Sequence, residues 1–439
     1  MIKCVKMFEK VLKLQGFPID EAKQELKKRQ SLGVDSFTEN SMKLRASILE
    51  YHLAKNKTFK KHLASKSISE WNDIPVITKQ SFQVDIGSLL SDNLNLKKVY
   101  LNNTSGSTGQ PFYFAKDKFA HAMTWALIID RYNRHGIDLN HSLQARFFGI
   151  PLSRRGYVKE RIKDGIANRV RFPVFDLSEN VLDRYIRIFE RKPFDYLNGY
   201  SSALVLFAKH LIYRNQVLSE ICPTLKVCIT TSEICTSEDR LFMERAFGVR
   251  VVNEYGAAEL DLIAFEDENF QWIMSDENLY FEVVDDDNEP VTPGNEGKLL
   301  VTSLYNKAMP FIRYELGDMV LIDDCRKGNN QVLKSLVGRT NDYAILPSGK
   351  KSAGLTFYYI SKSILEKGGF VKEFIVKQYS PFQFVFEYVA SKDLENNQKS
   401  LIEKVMAKYL ESGLHCDFIR VDQIKRSPSG KLKHFQRLF

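Results

Sequence analysis

The chain has 439 residues, of which 44% are hydrophobic, and its formal net charge is +9. This composition supports a packed core rather than a disordered chain, and the length allows two or more domains. The positive charge favours anionic partners such as nucleotides, phosphates or acidic substrates, but no long Lys/Arg tract or RNA-binding aromatic pattern indicates nucleic acid.

Membrane insertion and secretion are also disfavoured. No apolar run reaches the roughly 18 residues that a membrane span needs, and the N-terminus lacks the apolar core of a signal peptide. We therefore expect a cytoplasmic protein without a membrane span. Six cysteines occur without a C-x-x-C pair, and Cys222, Cys228 and Cys235 cluster. No histidine lies at zinc-finger spacing, so buried free thiols are favoured there, with metal binding left open.

The first ninety residues are predicted to be helical, because Leu44, Ile48 and Tyr51 recur on one helix face. A short extended segment follows at residues 74–79. It leads to the sequence TSGSTGQP at residues 104–111, which is rich in glycine and hydroxyl groups. Beyond this loop, Asp117 is predicted to cap a helix that stops at Gly136.

From Ser142 onward, strand-like and helix-like segments alternate, and this alternation predicts an α/β fold with a twisted, mainly parallel sheet. Strands are expected at residues 145–149, 195–200, 225–230 and 249–252. Ligands gather at the carboxyl ends of strands in such sheets. Phe147, Phe148, Tyr200 and Ser201 lie near these ends, and for the aromatic residues a substrate-pocket wall and core packing are equal interpretations.

The chain changes character toward its C-terminal end. Glycine and proline punctuate short runs in residues 270–325, which predicts a β-subdomain. After Gly338, about a hundred residues predict a compact α+β unit. The basic run at residues 154–171 has seven basic and two acidic residues, and a solvated face is its commoner interpretation.

The loop at residues 104–111 is the first candidate site. Its two glycines let a ligand approach the backbone, and its hydroxyls with free N–H groups are suited to an anion-binding concavity. The residues concerned are Thr104, Ser105, Gly106, Ser107, Thr108 and Gly109. The segment is not a P-loop, because no lysine follows Gly109. A surface hairpin turn is the alternative interpretation.

Three further segments carry chemical groups. YGAAE at 255–259 has an aromatic ring and a carboxylate on a turn after a strand, and RYELGD at 313–318 places an acid after a strand-ending glycine. Gly430-Lys431 places a lysine on a flexible tail. Alone, each is explained by core packing, a helix start, a turn or a solvated face. Together they supply the groups that ATP chemistry at the α-phosphate requires.

In their order and spacing, TSGSTGQP, YGAAE, RYELGD, GRTND and SPSGK resemble the adenylate-forming (acyl-CoA synthetase) superfamily. Within it, the chain resembles the phenylacetate–CoA ligase-like branch, including relatives from capsule and polysaccharide gene clusters. The resemblance runs from about Pro75 to the C-terminus. It implies an N-terminal ATP- and acyl-binding domain at residues 1–338 and a small mobile C-terminal domain at residues 339–439, which carries the catalytic lysine.

The resemblance also implies roles for individual residues. The loop at 104–109 would hold the β- and γ-phosphates of ATP. Tyr255, followed by Gly256, would lie against adenine, and Glu259 would ligate Mg²⁺. The remaining assignments concern the acyl pocket, the ribose and the reacting groups: Ser232 and Glu233 would line the acyl and adenine pocket, Asp318 would bind the ribose hydroxyls, Arg339 would lie at the ribose and phosphate, and Lys431 would bridge the acyl carboxylate and the α-phosphate.

Three positions depart from the family pattern. Gln110 stands where a lysine is common, and Ala258 stands where a Ser or Thr hydroxyl usually reaches the α-phosphate. Asn341 stands where the hinge between the domains is usually Asp or Lys. None of these changes affects Glu259 or Lys431, so catalysis is retained in the interpretation.

The function implied is that of an ATP-dependent carboxylate ligase. It would adenylate a carboxylic acid, release pyrophosphate and transfer the acyl group, with ATP and Mg²⁺ required and CoA as the leading acceptor. An amide ligase that joins a carboxylate, for example a uronic acid, to an amine in polysaccharide biosynthesis is the second hypothesis. The third is a nucleotide-binding homologue without catalysis, which Gln110 and Ala258 motivate.

Overall fold

The structure is a computed structural model that describes residues 7–64, 68–82, 84–104, 112–149, 154–292, 294–339, 343–353, 371–426 and 432–439. These residues divide into two compact units. The first contains the described residues up to 316 and residues 321–334, and the second contains residues 317–320, 335–426 and 432–439. The domain boundary predicted at residue 338 stays a prediction.

Helices of the first unit surround its strands. Their bounds are α1 Met7–Leu14, α2 Ile19–Gln30, α3 Val34–Lys55, α4 Lys57–Leu63, α5 Ile86–Leu89, α6 Lys118–Arg134, α7 Arg154–Ile166, α8 Glu179–Arg191, α9 Ser201–Tyr213, α10 Leu218–Ile221 and α11 Ser237–Phe247. The start of α6 is the predicted one, because the Asp117 carboxylate accepts hydrogen bonds from the backbone N–H groups of Phe119 and Ala120 at 2.9 and 3.0 Å. Such a cap satisfies N–H groups that a helix start otherwise leaves unpaired.

Among the described residues, one 11-stranded sheet dominates, in the order β10-β11-β12-β13-β9-β8-β7-β6-β5-β3-β4. Its strands are β3 Gln144–Phe147, β4 Arg169–Phe172, β5 Tyr196–Tyr200, β6 Val227–Thr231, β7 Arg250–Ala257, β8 Asp261–Glu266, β9 Trp272–Met274, β10 Leu279–Val284, β11 Glu296–Ser303, β12 Tyr314–Lys327 and β13 Asn330–Arg339. A separate hairpin is formed by β1 Tyr100–Asn103 and β2 Tyr113–Lys116.

The two halves of the sheet differ in direction. Strands β4, β3, β5, β6 and β7 pair in parallel, as helices connect them. Strand β8 then pairs antiparallel to β7 across a short turn, and β9 antiparallel to β8. The predicted β-rich region therefore continues this sheet with antiparallel pairs, because its connections are too short for parallel crossovers.

Both faces of the parallel strands are buried. Val251 faces a core formed with α8, α9 and α11, whereas its neighbour Val252 faces a core formed with α2 and α6. Phe147 belongs to the first core, where it is fully buried and stacks on Phe172 with ring centroids 4.8 Å apart. Phe147 is therefore a core residue rather than a pocket wall.

The second unit is a small α+β body. Its elements are β14 Tyr343–Ile345, β15 Lys351–Ala353, β16 Val371–Gln378, β17 Gln383–Ala390, α12 Asn396–Tyr409, β18 His415–Arg420 and β19 Phe435–Arg437, with a four-stranded sheet in the order β18-β17-β16-β19. Phe384, Phe386 and Tyr388 share one face of β17 and are buried with Ile402 and Met406 of α12. The predicted fold class, an α/β body with a smaller C-terminal α+β domain, is confirmed.

A buried ion pair fastens α6 to the segment that connects β9 and β10. Arg131 donates from one nitrogen to both Glu277 oxygens at 2.8 and 2.9 Å, and both side chains are 2% exposed. Burial alone would raise the pKa of Glu277, but the charge and hydrogen bonds of Arg131 outweigh it and hold that pKa below its ordinary value. Within the part of the chain that the structure describes, no helix is long and apolar enough to cross a membrane.

Removing one partner of this pair should be costly. We expect Arg131→Met to lower the free energy of unfolding by about 3–5 kcal/mol, because Glu277 would keep a buried charge without its counterion. The matched control is Arg134→Met, because Arg134 forms an ion pair with Asp130 at 2.8 Å while its side chain is 44% exposed. That control should cost no more than about 1 kcal/mol. If urea unfolding gave equal losses of unfolding free energy for the two variants, the buried pair would have no special contribution to stability.

Candidate active site

The glycine-rich segment is carried by a hairpin. Strands β1 and β2 pair from Tyr100 opposite Lys116 to Asn103 opposite Tyr113. Thr104 then closes the base of the loop, as its N–H donates to the Phe112 carbonyl at 2.9 Å. The other predicted phosphate-binding residues, Ser105, Gly106, Ser107, Thr108 and Gly109, lie outside the described residues, as does Gln110.

A lysine that the sequence analysis did not single out lies at this base. The Lys79 ammonium donates to the Thr104 hydroxyl at 3.0 Å and lies 5.5 Å from the centre of the Phe112 ring. Lys79 ends the extended segment predicted at residues 74–79. The contact joins residues 25 positions apart, so only the three-dimensional fold brings them together.

The same extended segment pairs with the start of β12. Ile77 donates its N–H to the Arg313 carbonyl at 3.1 Å and accepts from the Glu315 N–H at 2.8 Å. Between these bonds, the Tyr314 hydroxyl donates to Glu259 Oε1 at 2.9 Å, and both side chains are buried. The segment at residues 74–79 thus connects the loop base to the carboxylate predicted to ligate Mg²⁺, through its own hydrogen bonds and that of the Tyr314 hydroxyl.

Tyr255 and Gly256 lie inside β7, so the prediction that they form a turn after a strand is wrong. The register of β7 against β8 shifts between these two residues, and a Cβ on Gly256 would lie 2.3 Å from the Asp261 carbonyl oxygen. The glycine is thus required by close strand approach rather than by a turn. The turn comes later and carries Glu259, which is 6% exposed, while Tyr255 is 8% exposed.

A second charged cluster adjoins Glu259. Lys116 of β2 forms an ion pair with Asp261, whose carboxylate also accepts from the Thr124 hydroxyl at 2.7 Å. Burial lowers the pKa of Lys116 to about 7, and the nearby Glu259 carboxylate opposes that shift. Lys116 and Glu259 line the same small pocket, together with Asn278.

This pocket offers oxygen ligands. The side-chain oxygen of Asn278 is buried and has no hydrogen-bond partner among the described residues, and Glu259 contributes a carboxylate. Mg²⁺ prefers oxygen ligands and is often held by one or two carboxylates together with substrate phosphates. Glu259 and Asn278 thus offer two oxygen donors for a magnesium ion, but Lys116 places a positive charge in the same pocket, and the described residues contain no group of three or more His, Cys, Asp or Glu side chains placed to hold a metal.

Ser232 and Glu233 follow β6 directly. Thr231 pairs with Glu254, so Ser232 lies beside the end of β7 that carries Tyr255. Ser232 adopts a left-handed backbone conformation with φ of 68°. The Glu233 carboxylate accepts from the backbone N–H of Ser202 at 2.8 Å, at the start of α9, where a negative charge is favourable.

The remaining predicted site residues either belong to the second unit or lie outside the described residues. Strand β12 runs without interruption through Gly317 and Asp318, so the expectation that the strand ends at this glycine is wrong. Gly317 has φ of 85°, which glycine adopts without steric cost, and Asp318 is buried. Arg339 is the last residue of β13. Lys431 and Asn341 lie outside the described residues.

The basic run is not simply a solvated face. Arg171, on β4, donates to both Asp164 oxygens at 2.9 and 3.0 Å and to Glu160 at 2.8 Å. Arg169 donates to Asp164 at 2.5 Å. Two of the basic residues in this run are therefore neutralised by the two acidic residues of α7.

The clustered cysteines are free thiols. Cys222 and Cys228 are buried and Cys235 is half-buried. Burial raises the pKa of the Cys228 thiol well above its ordinary value and that of Cys235 to about 12. Both thiols are therefore protonated at neutral pH when no metal is bound.

Comparison with known proteins shows what the chain is similar to. No protein-family model matches the chain. It is 24% identical to Protein CapK of Staphylococcus aureus over 398 residues, which cover 87% of this chain and 85% of that protein. It is 30% identical to the phenylacetate-coenzyme A ligase of Aromatoleum evansii over 131 residues, 28% of this chain and 29% of the ligase.

Solved structures share the fold. A 2-hydroxyisobutyryl-CoA ligase in the postadenylation state matches with a TM-score of 0.71 and 14% identity, over 93% of this chain and 91% of that one. The amide bond synthetase McbA from Marinactinospora thermotolerans matches with a TM-score of 0.54 and 16% identity, over 76% and 67%. The chain therefore has the fold of adenylate-forming ligases. In sequence it is similar to Protein CapK and, over part of its length, to phenylacetate-coenzyme A ligases, so the resemblance recognised from the sequence is confirmed.

The Tyr314–Glu259 hydrogen bond should be measurable as a coupling energy. Tyr314→Phe leaves a buried carboxylate oxygen without its donor, and hydrogen bonds to charged groups contribute about 1.5–3 kcal/mol. We expect a double-mutant cycle with Glu259→Ala to give a coupling of that size in unfolding free energy. Tyr213→Phe, at a side chain that is 72% exposed, is the control and should be neutral. A coupling near zero would contradict the contact.

Proposed function

We propose that this enzyme is an ATP-dependent carboxylate ligase that forms an acyl adenylate and passes the acyl group to CoA. The observation that carries the proposal is the fold shared over 93% of the chain with a CoA ligase whose complex contains an acyl-AMP. The partial match to phenylacetate-coenzyme A ligases supports the same acceptor.

The first step joins the acid to AMP. A carboxylate oxygen of the substrate attacks the α-phosphorus of ATP, the bond to the β-phosphate oxygen breaks, and pyrophosphate leaves. The protein contributes orientation and charge stabilisation rather than a covalent nucleophile. Bound Mg²⁺ would neutralise phosphate charge, with Glu259 as its ligand and Asn278 as a further oxygen donor.

The other residues position ATP and the acid. Thr104 and the loop at 105–109 would hold the terminal phosphates, and Lys79 would add positive charge at the loop base, which offsets the absence of a lysine at position 110. Tyr255 and Gly256 would lie against adenine, with Ser232 and Glu233 alongside. Residues on the C-terminal side of the chain would bind the ribose and the reacting groups. Asp318 and Arg339 would lie at the ribose, and Lys431 would bridge the acyl carboxylate and the α-phosphate.

In the second step the CoA thiol attacks the acyl carbon. The bond to AMP breaks, AMP leaves with the bonding electrons, and the thiol proton passes to solvent. The C-terminal domain would move between the two steps and carry Lys431 away, as in other enzymes whose closing domains complete a site. The domain boundary at residues 338 and 339 and the hinge at Asn341 are part of this proposal.

The lysine assignment has a direct test. We expect Lys431→Ala to reduce acid-dependent pyrophosphate exchange about 100- to 1,000-fold, the usual effect of removing one charge-stabilising donor from a transition state. Lys433→Ala, two residues further along the chain, is the matched control and should retain exchange. Exchange that persists in Lys431→Ala would refute the role given to this lysine, and exchange absent from the wild type with every acid offered would favour a nucleotide-binding homologue without catalysis.

An amide ligase is the second candidate. The fold likeness to the amide bond synthetase McbA and the similarity to Protein CapK support it, and the latter fits a role in capsule or polysaccharide biosynthesis. Here an amine would attack the acyl carbon in place of the thiol. AMP release that depends on an amine but not on CoA would select this alternative, whereas release with CoA alone would exclude it.

A further inference from the structure

Arg146 holds an unusual position on the sheet. It lies on β3 opposite Arg171 of β4 and Asn198 of β5, one residue before the carboxyl end of the strand. Because neighbouring residues on a strand point to opposite faces, Arg146 points away from the core that buries Phe147. It therefore lies on the face of the sheet that also carries Asn198.

Arg146 has no acidic partner at ion-pair distance among the described residues. Glu160 and Asp164 bind Arg169 and Arg171 instead. Across the residues that the structure describes, Arg146 makes no hydrogen bond or ion pair, and its Nε is buried without a partner. Burial and the charges of Arg169 and Arg171 lower its pKa to about 10, so it stays charged at neutral pH.

An aromatic ring holds this cation in place. The guanidinium carbon lies 3.9 Å from the centre of the Phe148 ring, and Phe148 in turn packs on Tyr200 with ring centroids 4.5 Å apart. Stacking of this kind fixes the plane of the guanidinium but leaves its N–H groups available. A half-buried charge without a counterion is costly, and a bound anion would remove that cost.

Glu254 interacts with Arg146 through its charge but is not hydrogen-bonded to it. One Glu254 oxygen accepts from the Tyr132 hydroxyl at 2.6 Å, and the other accepts from the Thr231 hydroxyl at 3.1 Å. Burial raises the pKa of Glu254, and these hydrogen bonds and the positive charge of Arg146 oppose that shift. Both oxygens are thus already hydrogen-bonded to groups other than Arg146.

The strand order sets the distance between Arg146 and the residues that are predicted to lie near adenine. Strands β5 and β6 lie between β3 and β7, so β3 is about 14 Å from β7 at a strand spacing of about 4.8 Å. Tyr255 lies on β7, and Ser232 follows β6. An acid activated beside Ser232 and extending toward β3 would bring its distal group toward the Arg146 side chain.

We infer that Arg146 binds a second anionic group of the acyl substrate, so that the acid adenylated here also carries a distal carboxylate or phosphate. The inference rests on the proposed ligase function and specifies its substrate class. The planar guanidinium suits bidentate binding of either anion. A site with a half-buried cation that lacks an ion-pair partner disfavours an otherwise equal acid without the second charge.

The test compares each diacid with its own monomethyl ester. Succinate, glutarate and adipate are offered in a pyrophosphate-release assay alongside esters that keep the chain length and one reactive carboxylate. We expect kcat/KM to be about 10- to 100-fold higher for the best diacid, as a charged hydrogen bond contributes about one to two powers of ten. 4-Phosphonobutyrate against butyrate tests whether the preferred anion is phosphate-like.

Arg146→Met should abolish this preference by raising KM for the dianionic acid, while KM for ATP and turnover of the monoester stay unchanged. Arg146→Lys should retain part of the preference because it keeps the charge. The matched control is Arg214→Met: Arg214 also lies near an aromatic ring, 6.0 Å from Tyr213, but at the opposite end of α9 from the strand ends, about 20 Å along the helix. It should keep the wild-type preference.

The inference and the ligase function fail separately. Pyrophosphate release that is equal for diacids and esters, or a preference that survives Arg146→Met, overturns the inference and leaves the ligase standing. If no acid supports release, the ligase proposal fails, and calorimetric titration of glutarate into wild type and Arg146→Met still decides the role of Arg146. Binding lost in the variant supports an anion site there, and equal or absent binding overturns it.

Discussion

The hydrogen bond from Tyr314 to Glu259 is the contact on which the candidate site depends. Glu259 lies on a turn between two strands, where its carboxylate would otherwise be a buried charge without a donor. Tyr314 is fixed because the neighbouring backbone pairs with Ile77 on both sides. The same segment carries Lys79 to the hydroxyl of Thr104. Three parts of the chain that are remote in sequence thus depend on one another through a few hydrogen bonds.

Parallel strand order provides the second constraint. Strands β3, β5, β6 and β7 end at one edge of the sheet, so the residues that follow them become neighbours without any sequence proximity. The rigid cores on both faces hold these strand ends in place. Ser232 and Tyr255 lie at this edge, and their role in ligand binding stays a prediction.

Local signals were predictable from the sequence, and long-range ones were not. Asp117 was recognised as a cap because its partners lie two and three residues away. Gly256 was taken to end a strand, but its role depends on how closely Asp261 of the next strand approaches. Gly317 was also taken to end a strand, but a glycine with positive φ can continue one. Motif order indicated the similarity to adenylate-forming ligases even where local geometry was misjudged.

The ion pairs in the fold change the interpretation of the basic run at residues 154–171. From sequence, the commoner interpretation of the run at 154–171 was a solvated face. In the fold, Arg169 and Arg171 are bound by Glu160 and Asp164, so these two charges stabilise the packing of α7 on β4 instead.

Arg146, which precedes the run in sequence, makes no ion pair among the described residues and lies nearer to the strands that carry the adenine-binding candidates. Under the proposed function, the charge available for recognition would lie on the acyl side of the reaction, so a preference for anionic substrates would not require an anionic acceptor. The CoA and amide hypotheses differ only in the nucleophile of the second step, so an Arg146 site is compatible with both. Selection of the acid and selection of the acceptor are separate properties of this fold.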